Sequence, residues 1–403
     1  MPHKFAIVIP DGAADEPLAA LGGKTPLQAA RLPEMDAIAR EGVLGRSRNV
    51  PERYLPGSDV ATLSLFGYDP EAVFTGRAPL EAAAAGVDLG PDDWAVRCNL
   101  MHAHNGAALT DFTAGHISSA EARELIAALQ AQLGRPEIEF RPGVSYRNLM
   151  IYRGGRGTPA PFDDETLTVP PHDHPDQPIE PYLPTGPGSD LLRHLIAAGT
   201  AVVRDHPVNR AREAQGLKPA NLVWLWGQGK APRLPKFQVV HGLKGAIISA
   251  VDLVRGVGLL AGWDRVDVDG ATGYLDTDYA AKGRAAVAAL EKYDIVCVHV
   301  EAPDEASHEG RADAKVEALE RIDAAIVGPL RAAIAAHGGR ILVSPDHATL
   351  IRTRAHDRAW VPWAMAGAGL AGSGRPYDEA SAEAAGGPTL PRGHELMDLF
   401  LDV

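Results

Sequence analysis

Three short apolar runs, each followed by acidic residues, constrain the fold of this chain more than any other feature. The runs and the acids that follow them are residues 5–10 with Asp11, residues 295–300 with Glu301 and Asp304, and residues 341–345 with Asp346. His308 and His347 come close behind two of these acids. In an open parallel sheet, ligands bind outside the carboxyl ends of the strands, so we expect the three ends to converge on one site. Carboxylate and imidazole ligands together suit a pair of divalent cations.

Strand and helix patterns alternate along the chain, which predicts an α/β fold with a mainly parallel sheet. At 403 residues the chain is longer than a single core usually grows, so we expect two domains. Between residues 88 and 234 the alternation gives way to strand-like segments, helices and a Pro-rich loop. The sequence therefore predicts a catalytic domain of residues 1–87 and 235–403, with a smaller α+β domain, residues 88–234, inserted between its halves.

Composition and charge exclude several classes of partner. The net charge is −13 and there is no long basic run, which argues against nucleic acid. The longest apolar stretch, residues 245–263, is interrupted by Asp252 and Arg255, so no membrane span is expected. The cysteines, Cys98 and Cys297, lie far apart and indicate no disulfide scaffold, which favours a reducing cytoplasm. The oligomeric state stays open.

The predicted metal site draws its ligands from the strand ends, one serine and one further histidine. The candidate set is Asp11, Ser58, Asp304, His308, Asp346, His347 and His356. Any one member alone reads equally well as a helix cap or as a hydrogen-bonded histidine. The recurrence of acids at several strand ends favours the metal site over those structural roles. Carboxylates with imidazoles suit Mn, Zn or Fe, whereas carboxylates alone would favour Mg or Ca.

Ser58 is the candidate nucleophile. It follows Pro56-Gly57 in a turn that opens a helix, so it is expected at or near a helix N-terminus. A serine hydroxyl needs a base or a metal to remove its proton, and a metal at this site would do so. The local pattern fits a helix cap equally well, and only the other candidate ligands favour the nucleophile.

Five motifs together resemble a known family. They are Asp11-Gly12, residues 57–61, residues 68–70 with 75–82, residues 301–304 with His308, and residues 345–347. On these motifs the chain resembles the archaeal-type 2,3-bisphosphoglycerate-independent phosphoglycerate mutases of the alkaline phosphatase superfamily. The resemblance covers nearly the whole chain and implies an alkaline-phosphatase-like core.

The resemblance also implies a ligand set and a mechanism. One metal is expected on Asp304, His308 and His356, where His356 is the loosest match, and a second on Asp11, Ser58, Asp346 and His347. Mn is the expected metal, with Zn, Co or Mg as alternatives. The family reaction passes the phosphoryl group of 3-phosphoglycerate to the serine and returns it to the 2-hydroxyl. It uses neither bisphosphoglycerate nor a nucleotide.

Cationic and imidazole side chains complete the expected site. The resemblance assigns a phosphoryl contact to Lys244 and places substrate contacts in the inserted domain, at His116 and Arg147. His116 is the expected general acid/base, because imidazole titrates near the working pH. Arg147, with Arg97 as a second choice, is expected to grip carboxylate or phosphate, although Arg97 fits a surface position equally well. Arg77 fits substrate binding or a structural ion pair.

Two other activities remain open at the level of sequence. A homoserine kinase-like phosphotransferase would keep the site and change the substrate, although the chain has neither a Walker A loop nor a kinase Gly-rich loop. A phosphomonoesterase would let water intercept the phosphoserine, which a closing two-domain enzyme disfavours. The leading prediction is an isomerase acting on a small phosphorylated acid.

Overall fold

The protein was analysed as a computed structural model that describes residues 3–104, 108–155, 158–171 and 177–402. The chain forms two compact units, one of residues 1–74 and 233–403 and the other of residues 75–232. The first boundary precedes the predicted one because the helix Ala78–Ala84 packs Ala78 and Ala82 against Ala95 of the second unit.

The strands are numbered in chain order. They are β1 (Phe5–Pro10), β2 (Val43–Ser47), β3 (Trp94–His104), β4 (Ala108–Asp111), β5 (Ile138–Val144), β6 (Arg147–Tyr152), β7 (Leu222–Gly229), β8 (Gly245–Ile248), β9 (Asp264–Arg265), β10 (Ile295–Val300), β11 (Arg340–Val343), β12 (Ala348–Leu350), β13 (Ala355–Asp357), β14 (Val361–Gly367) and β15 (Thr389–Leu390).

The α-helices follow the same order. They are α1 (Pro26–Ala29), α2 (Pro33–Glu41), α3 (Ser58–Leu65), α4 (Pro70–Val73), α5 (Ala78–Ala84), α6 (Ser119–Leu133), α7 (Ser189–Arg204), α8 (Pro207–Ala214), α9 (Phe237–His241), α10 (Asp252–Leu260), α11 (Tyr279–Ala289), α12 (Ala302–His308), α13 (Ala312–Ile322), α14 (Gly328–Ala336), α15 (Glu379–Ala384) and α16 (Glu395–Leu401). A π-helical segment, Asp323–Val327, joins α13 to α14. Among the described residues, no helix has the length and apolarity that crossing a membrane requires.

The first unit is built on a mainly parallel sheet, which confirms the predicted α/β class. Its strand order over the described residues is β15-β2-β14-β11-β1-β10-β8-β9. The neighbours β11, β1, β10 and β8 run parallel, whereas β14 is antiparallel to β11 and to β2. All six residues of β1 and of β10 are buried, as expected for central strands covered on both faces. The carboxyl ends of these parallel strands therefore lie along one edge.

The second unit combines an antiparallel sheet with α6 and α7 on one face and α5 on the other. Strand β3 pairs with β4, β6 and β7, and β6 also pairs with β5. Val96, Cys98 and Leu100 of β3 belong to the same buried cluster as Leu125 of α6 and Leu195 of α7. Because side chains alternate along a strand, the residues between them, Arg97 and Asn99 among them, point to the opposite face.

Candidate active site

Three neighbouring strand ends of the first unit deliver the acidic residues to one place. Strand β1 lies between β10 and β11, with Pro10 beside Val300 and Val8 beside Val343. The next residues of these strands lead to the acids Asp11, Asp304 and Asp346. The convergence expected from the sequence pattern therefore follows from the observed strand order.

One group of candidate metal ligands consists of Asp304, His308 and His356. Asp304 and His308 lie one turn apart on α12, with His308 Nε2 at 3.1 Å from Asp304 Oδ2. His356 lies on β13, opposite Thr349 of β12, and its Nε2 is 3.4 Å from Asp304 Oδ1. The Nε2 atoms of the two histidines are 3.0 Å apart. Three donors thus face one small volume, which is the arrangement a single cation requires.

Backbone carbonyls orient both histidines of this group. His308 Nδ1 is 2.9 Å from the carbonyl of Arg354, and His356 Nδ1 is 3.1 Å from that of Pro56. Each Nδ1–H can donate to its carbonyl, which leaves Nε2 to face the site. Burial disfavours the charged form of His308, but Asp304 more than offsets burial and raises the pKa of His308 to about 9. The Asp304 carboxylate thus stabilises the positively charged form of His308.

The second group consists of Asp11, Asp346 and His347, all buried. His347 Nε2 lies 3.3 Å from Asp346 Oδ2 and 3.5 Å from Asp11 Oδ1. Ser58, the first residue of α3, places its hydroxyl 3.3 Å from Asp11 Oδ2 and 3.3 Å from His347 Nε2. The structure therefore brings Ser58 to this group. The two groups adjoin, because the rings of His347 and His356 have centroids 4.3 Å apart.

The second group carries more buried negative charge than its protein partners neutralise. Asp11 Oδ1 and Asp346 Oδ2 are buried and accept no hydrogen bond from the described residues. Burial, followed by the nearby charges of Asp346 and Asp304, raises the pKa of Asp11 well above its ordinary value. Orphaned carboxylate oxygens that converge beside an imidazole fit a divalent cation. The residues present therefore suit two divalent ions, one at each group.

Two residues that the sequence did not single out as ligand supports contact the candidate ligands of these groups. They are Thr349 and Gly12. The Thr349 hydroxyl donates to Asp304 Oδ1 at 2.5 Å and lies 3.2 Å from His347 Nδ1. The amide of Gly12 donates to Asp346 Oδ1 at 3.1 Å. Gly12 has a φ of +60°, and a Cβ there would lie 2.5 Å from Asp304 Oδ1. The tight turn after β1 is thus open only to glycine.

His299 is a third residue that sequence reasoning missed. It is the fifth residue of β10, has no exposed surface, and its Nε2 lies 3.0 Å from Asp11 Oδ2. Burial lowers the pKa of His299 to about 4, so the imidazole is neutral at neutral pH. A histidine inside an otherwise apolar, fully buried run was the available signal, because such a side chain needs a polar partner.

Lys244 does not reach this site. It immediately precedes β8, so it lies at the amino end of the parallel strands, opposite the edge that carries Asp11. Its ammonium is 3.7 Å from Asp264 Oδ2 and lies over the ring of Tyr293. The sequence motif around Lys244 indicated a phosphoryl contact, but strand polarity places the residue on the wrong edge for it.

The predicted arginines lie together in the second unit. Arg97 is buried, pairs with Glu81 Oε1 at 2.9 Å and stacks on Trp226, which Arg77 also contacts. Burial lowers the pKa of Arg97 to about 10, and the charges of Arg77 and Arg147 act in the same direction. A surface position for Arg97 is therefore ruled out. The two neighbouring guanidinium groups thus raise the cost of ionising Arg97, and a cluster of this kind favours an anionic ligand.

His116 is held in an unusual backbone conformation. Ala114, Gly115 and His116 all have positive φ, and the side chain of His116 is exposed. Asp111 accepts from the amides of Thr113 and Gly115, which anchors the turn. Strained backbone of this kind clusters at functional sites, which is consistent with a role for His116.

Comparisons with known proteins agree on one family. The family model described as 2,3-bisphosphoglycerate-independent phosphoglycerate mutase matches residues 39–209. The chain is 49% identical to the probable 2,3-bisphosphoglycerate-independent phosphoglycerate mutase of Geobacter sulfurreducens, over 99% of this chain and 100% of that protein. It is 46% identical to the 2,3-bisphosphoglycerate-independent phosphoglycerate mutase of Methanothrix thermoacetophila, over 99% of each.

A solved structure shows the same similarity in three dimensions. The cofactor-independent phosphoglycerate mutase of Thermoplasma acidophilum superposes with a TM-score of 0.65 at 25% identity, over 100% of this chain and 99% of that one. The homoserine kinase-like and phosphomonoesterase alternatives find no support in these relatives.

Proposed function

The chain belongs to the 2,3-bisphosphoglycerate-independent phosphoglycerate mutase family, and from this premise we propose that it interconverts 3-phosphoglycerate and 2-phosphoglycerate through a phosphoserine at Ser58. The observation that carries the proposal is the position of the Ser58 hydroxyl, 3.3 Å from both Asp11 Oδ2 and His347 Nε2. A serine at the start of a helix, beside converging metal donors, has the activation that nucleophilic attack on phosphorus requires.

The first unit supplies the nucleophile and the metal ligands. Divalent cations, Mn²⁺ in the first place, would be held by Asp304, His308 and His356 and by Asp11, Ser58, Asp346 and His347. When bound, they stabilise the serine alkoxide and neutralise the phosphoryl oxygens. Zn²⁺, Co²⁺ and Mg²⁺ remain alternatives for the same donors.

Transfer is proposed to proceed in two balanced steps. Ser58 Oγ, already deprotonated, forms a bond to phosphorus while the bond from phosphorus to the 3-oxygen of glycerate breaks, and that oxygen takes a proton from His116. In the second step the 2-hydroxyl loses its proton to His116 and forms a bond to phosphorus, while the bond from phosphorus to Ser58 Oγ breaks and restores the deprotonated serine. No bisphosphoglycerate or nucleotide enters either step.

The second unit is assigned the recognition of the substrate's charges. Arg77, Arg97 and Arg147 supply guanidinium groups for carboxylate and phosphate, and the ion pair with Glu81 holds Arg97 in place. Cys98 and Cys297 are buried free thiols, which supports a reducing compartment such as the cytoplasm.

The direct test is conversion of 3-phosphoglycerate by purified protein with Mn²⁺, coupled to enolase and free of bisphosphoglycerate. We expect turnover in the wild type and none after chelation or in Ser58→Ala, with activity restored to the chelated wild type by Mn²⁺. Phosphate release from the same substrate would instead indicate a phosphomonoesterase. Phosphorylation of homoserine by ATP, with no mutase turnover, would indicate the kinase-like alternative.

A further inference from the structure

His299 occupies a position that packing alone does not explain. It lies in the centre of the sheet, between Ile9 of β1 and the residue after Ile248 of β8, and is completely buried. Burying both nitrogens of an imidazole is costly unless each finds a hydrogen-bond partner. Both do, because Nε2 lies 3.0 Å from Asp11 Oδ2 and Nδ1 lies 3.2 Å from the Ser249 hydroxyl.

The carboxylate of Asp11 determines which nitrogen of His299 carries the proton. A carboxylate that serves as a metal ligand is ionised and can only accept, so Nε2 of the neutral ring donates to Asp11 Oδ2. Nδ1 is then the acceptor and receives the hydroxyl of Ser249, whose oxygen in turn accepts the amide of Val251 at 3.0 Å. His299 is therefore held in one tautomer, and it is the donor in the hydrogen bond to Asp11.

This hydrogen bond fixes the rotation of the Asp11 carboxylate. Oδ2 is held by His299 and receives the Ser58 hydroxyl, whereas Oδ1 stays without a hydrogen bond and faces His347. The backbone is held as well, since the amide of Asp11 donates to Val300 and the ammonium of Lys282 lies 3.4 Å from the His299 carbonyl. The carboxylate thus presents one defined oxygen to the second group.

We propose that His299 is a positioning residue that orients Asp11 for the cation of the Asp11–Asp346–His347 group and, through it, for Ser58. The inference rests on the proposed function only in its last clause, because orientation of a metal ligand is measurable without substrate. Outer partners of metal ligands contribute about 10–100-fold in affinity or activity. The Asp304–His308–His356 group does not contact His299 through any hydrogen bond among the described residues and serves as an internal reference.

The test compares His299→Gln with His299→Leu. The glutamine amide can place a donor near the position of Nε2, whereas leucine fills the space without a donor. Mn²⁺ binding to metal-stripped protein is measured by calorimetry, alongside the unfolding midpoint. We expect His299→Leu to weaken one of two sites by about 10–100-fold and to leave the other unchanged, while His299→Gln regains most of the affinity.

Kinetics then separates orientation from simple destabilisation. We expect kcat of His299→Leu to fall at limiting Mn²⁺ and to recover with excess Mn²⁺, with KM for substrate unchanged. Ser249→Ala removes the Nδ1 partner and the acceptor of the Val251 amide but leaves the bond between Nε2 and Asp11. It should weaken the same site less than His299→Leu does, and it provides a milder variant if leucine prevents folding. Wild-type affinity in folded His299→Leu, equal weakening of both sites, or failure of glutamine to restore binding would each overturn the proposal. If the wild type binds two Mn²⁺ but has no mutase activity, the proposed function fails while the binding comparison still decides the role of His299.

Discussion

The hydroxyl of Ser58 lies 3.3 Å from Nε2 of His347, although 289 residues separate them in sequence. The same hydroxyl is 3.3 Å from Asp11, which follows the first strand of the sheet. Three distant segments therefore supply a nucleophile and its neighbouring donors at one sheet edge.

Removal of His356 should empty one metal position and spare the other. Its Nε2 is 3.0 Å from that of His308, and both face Asp304. We expect His356→Ala to bind one Mn²⁺ per chain where the wild type binds two, as measured by elemental analysis after gel filtration. His194→Ala, an exposed histidine of α7, should keep both ions. A variant that retains two ions would show that His356 is not a ligand.

A methyl group at Gly12 should disrupt the site through the backbone turn. Its Cβ would lie 2.5 Å from Thr349 Oγ1 and 2.5 Å from Asp304 Oδ1, at a φ of +60°. We expect Gly12→Ala to lower the free energy of unfolding in urea by about 3 kcal/mol or more, since positive φ alone costs about 1–2 kcal/mol. We also expect the variant to bind Mn²⁺ more weakly. Gly22→Ala has a similar φ of +68° but open space around its Cβ. This control should lose only about 1–2 kcal/mol and keep its metal affinity. Equal losses in the two variants would contradict the steric explanation.

Truncation of Arg147 should affect substrate binding more than stability. Its side chain is exposed and its guanidinium lies over the ring of Tyr146, and an exposed contact of this kind contributes about 0.5–1 kcal/mol to stability. We expect Arg147→Ala to raise KM at least about tenfold, which is equivalent to about 1.4 kcal/mol of binding free energy. The free energy of unfolding should change by less than about 1 kcal/mol. Arg141→Ala, an exposed arginine of the neighbouring strand β5, is the matched control and should keep the wild-type KM. An unchanged KM in Arg147→Ala would exclude it from substrate recognition.

Asp323 should make stability depend on pH in a defined direction. Its buried carboxylate accepts the amides of Glu34 and Met35 at the start of α2, yet burial raises its pKa to about 6. The unfolded value is about 3.9, so the folded state binds the proton more tightly and its stability increases as pH falls through 6. Relative to Asp323→Asn, the free energy of unfolding of the wild type should increase by up to about 3 kcal/mol as the pH is lowered from about 8 to about 4, measured by urea titration. The exposed Asp402→Asn is the matched control. A difference that stays constant or runs the other way would contradict the assignment.

The parallel sheet and the grouping of its acidic residues at one edge were predictable from the sequence, because both depend on local patterns. Apolar runs define central strands, and parallel strands necessarily end at the same edge, so Asp11, Asp304 and Asp346 were expected together. The polarity of the same strands explains the error at Lys244. It matched a family motif, but it precedes β8 and therefore lies at the opposite edge.

The supports of the site were not predictable because they depend on contacts between distant elements. His299 becomes informative only when β1 places Asp11 beside it, and Thr349 only when its hydroxyl meets α12. His356 was the loosest match in sequence, but the pairing of β13 with β12 brings it to Asp304. Sequence spacing indicates which residues directly follow a strand. The partners that orient those residues depend on how the strands and helices pair in the folded structure.

The most direct test of the account is to identify the residue that carries the phosphoryl group. Mn²⁺-loaded protein is mixed with 3-phosphoglycerate carrying a labelled phosphate, quenched, digested and mapped by mass spectrometry. The account predicts one phosphoryl group on the peptide containing Ser58, formed within a turnover and removed by excess unlabelled substrate. Turnover with the label on another residue, or with no labelled protein at any time, would contradict it.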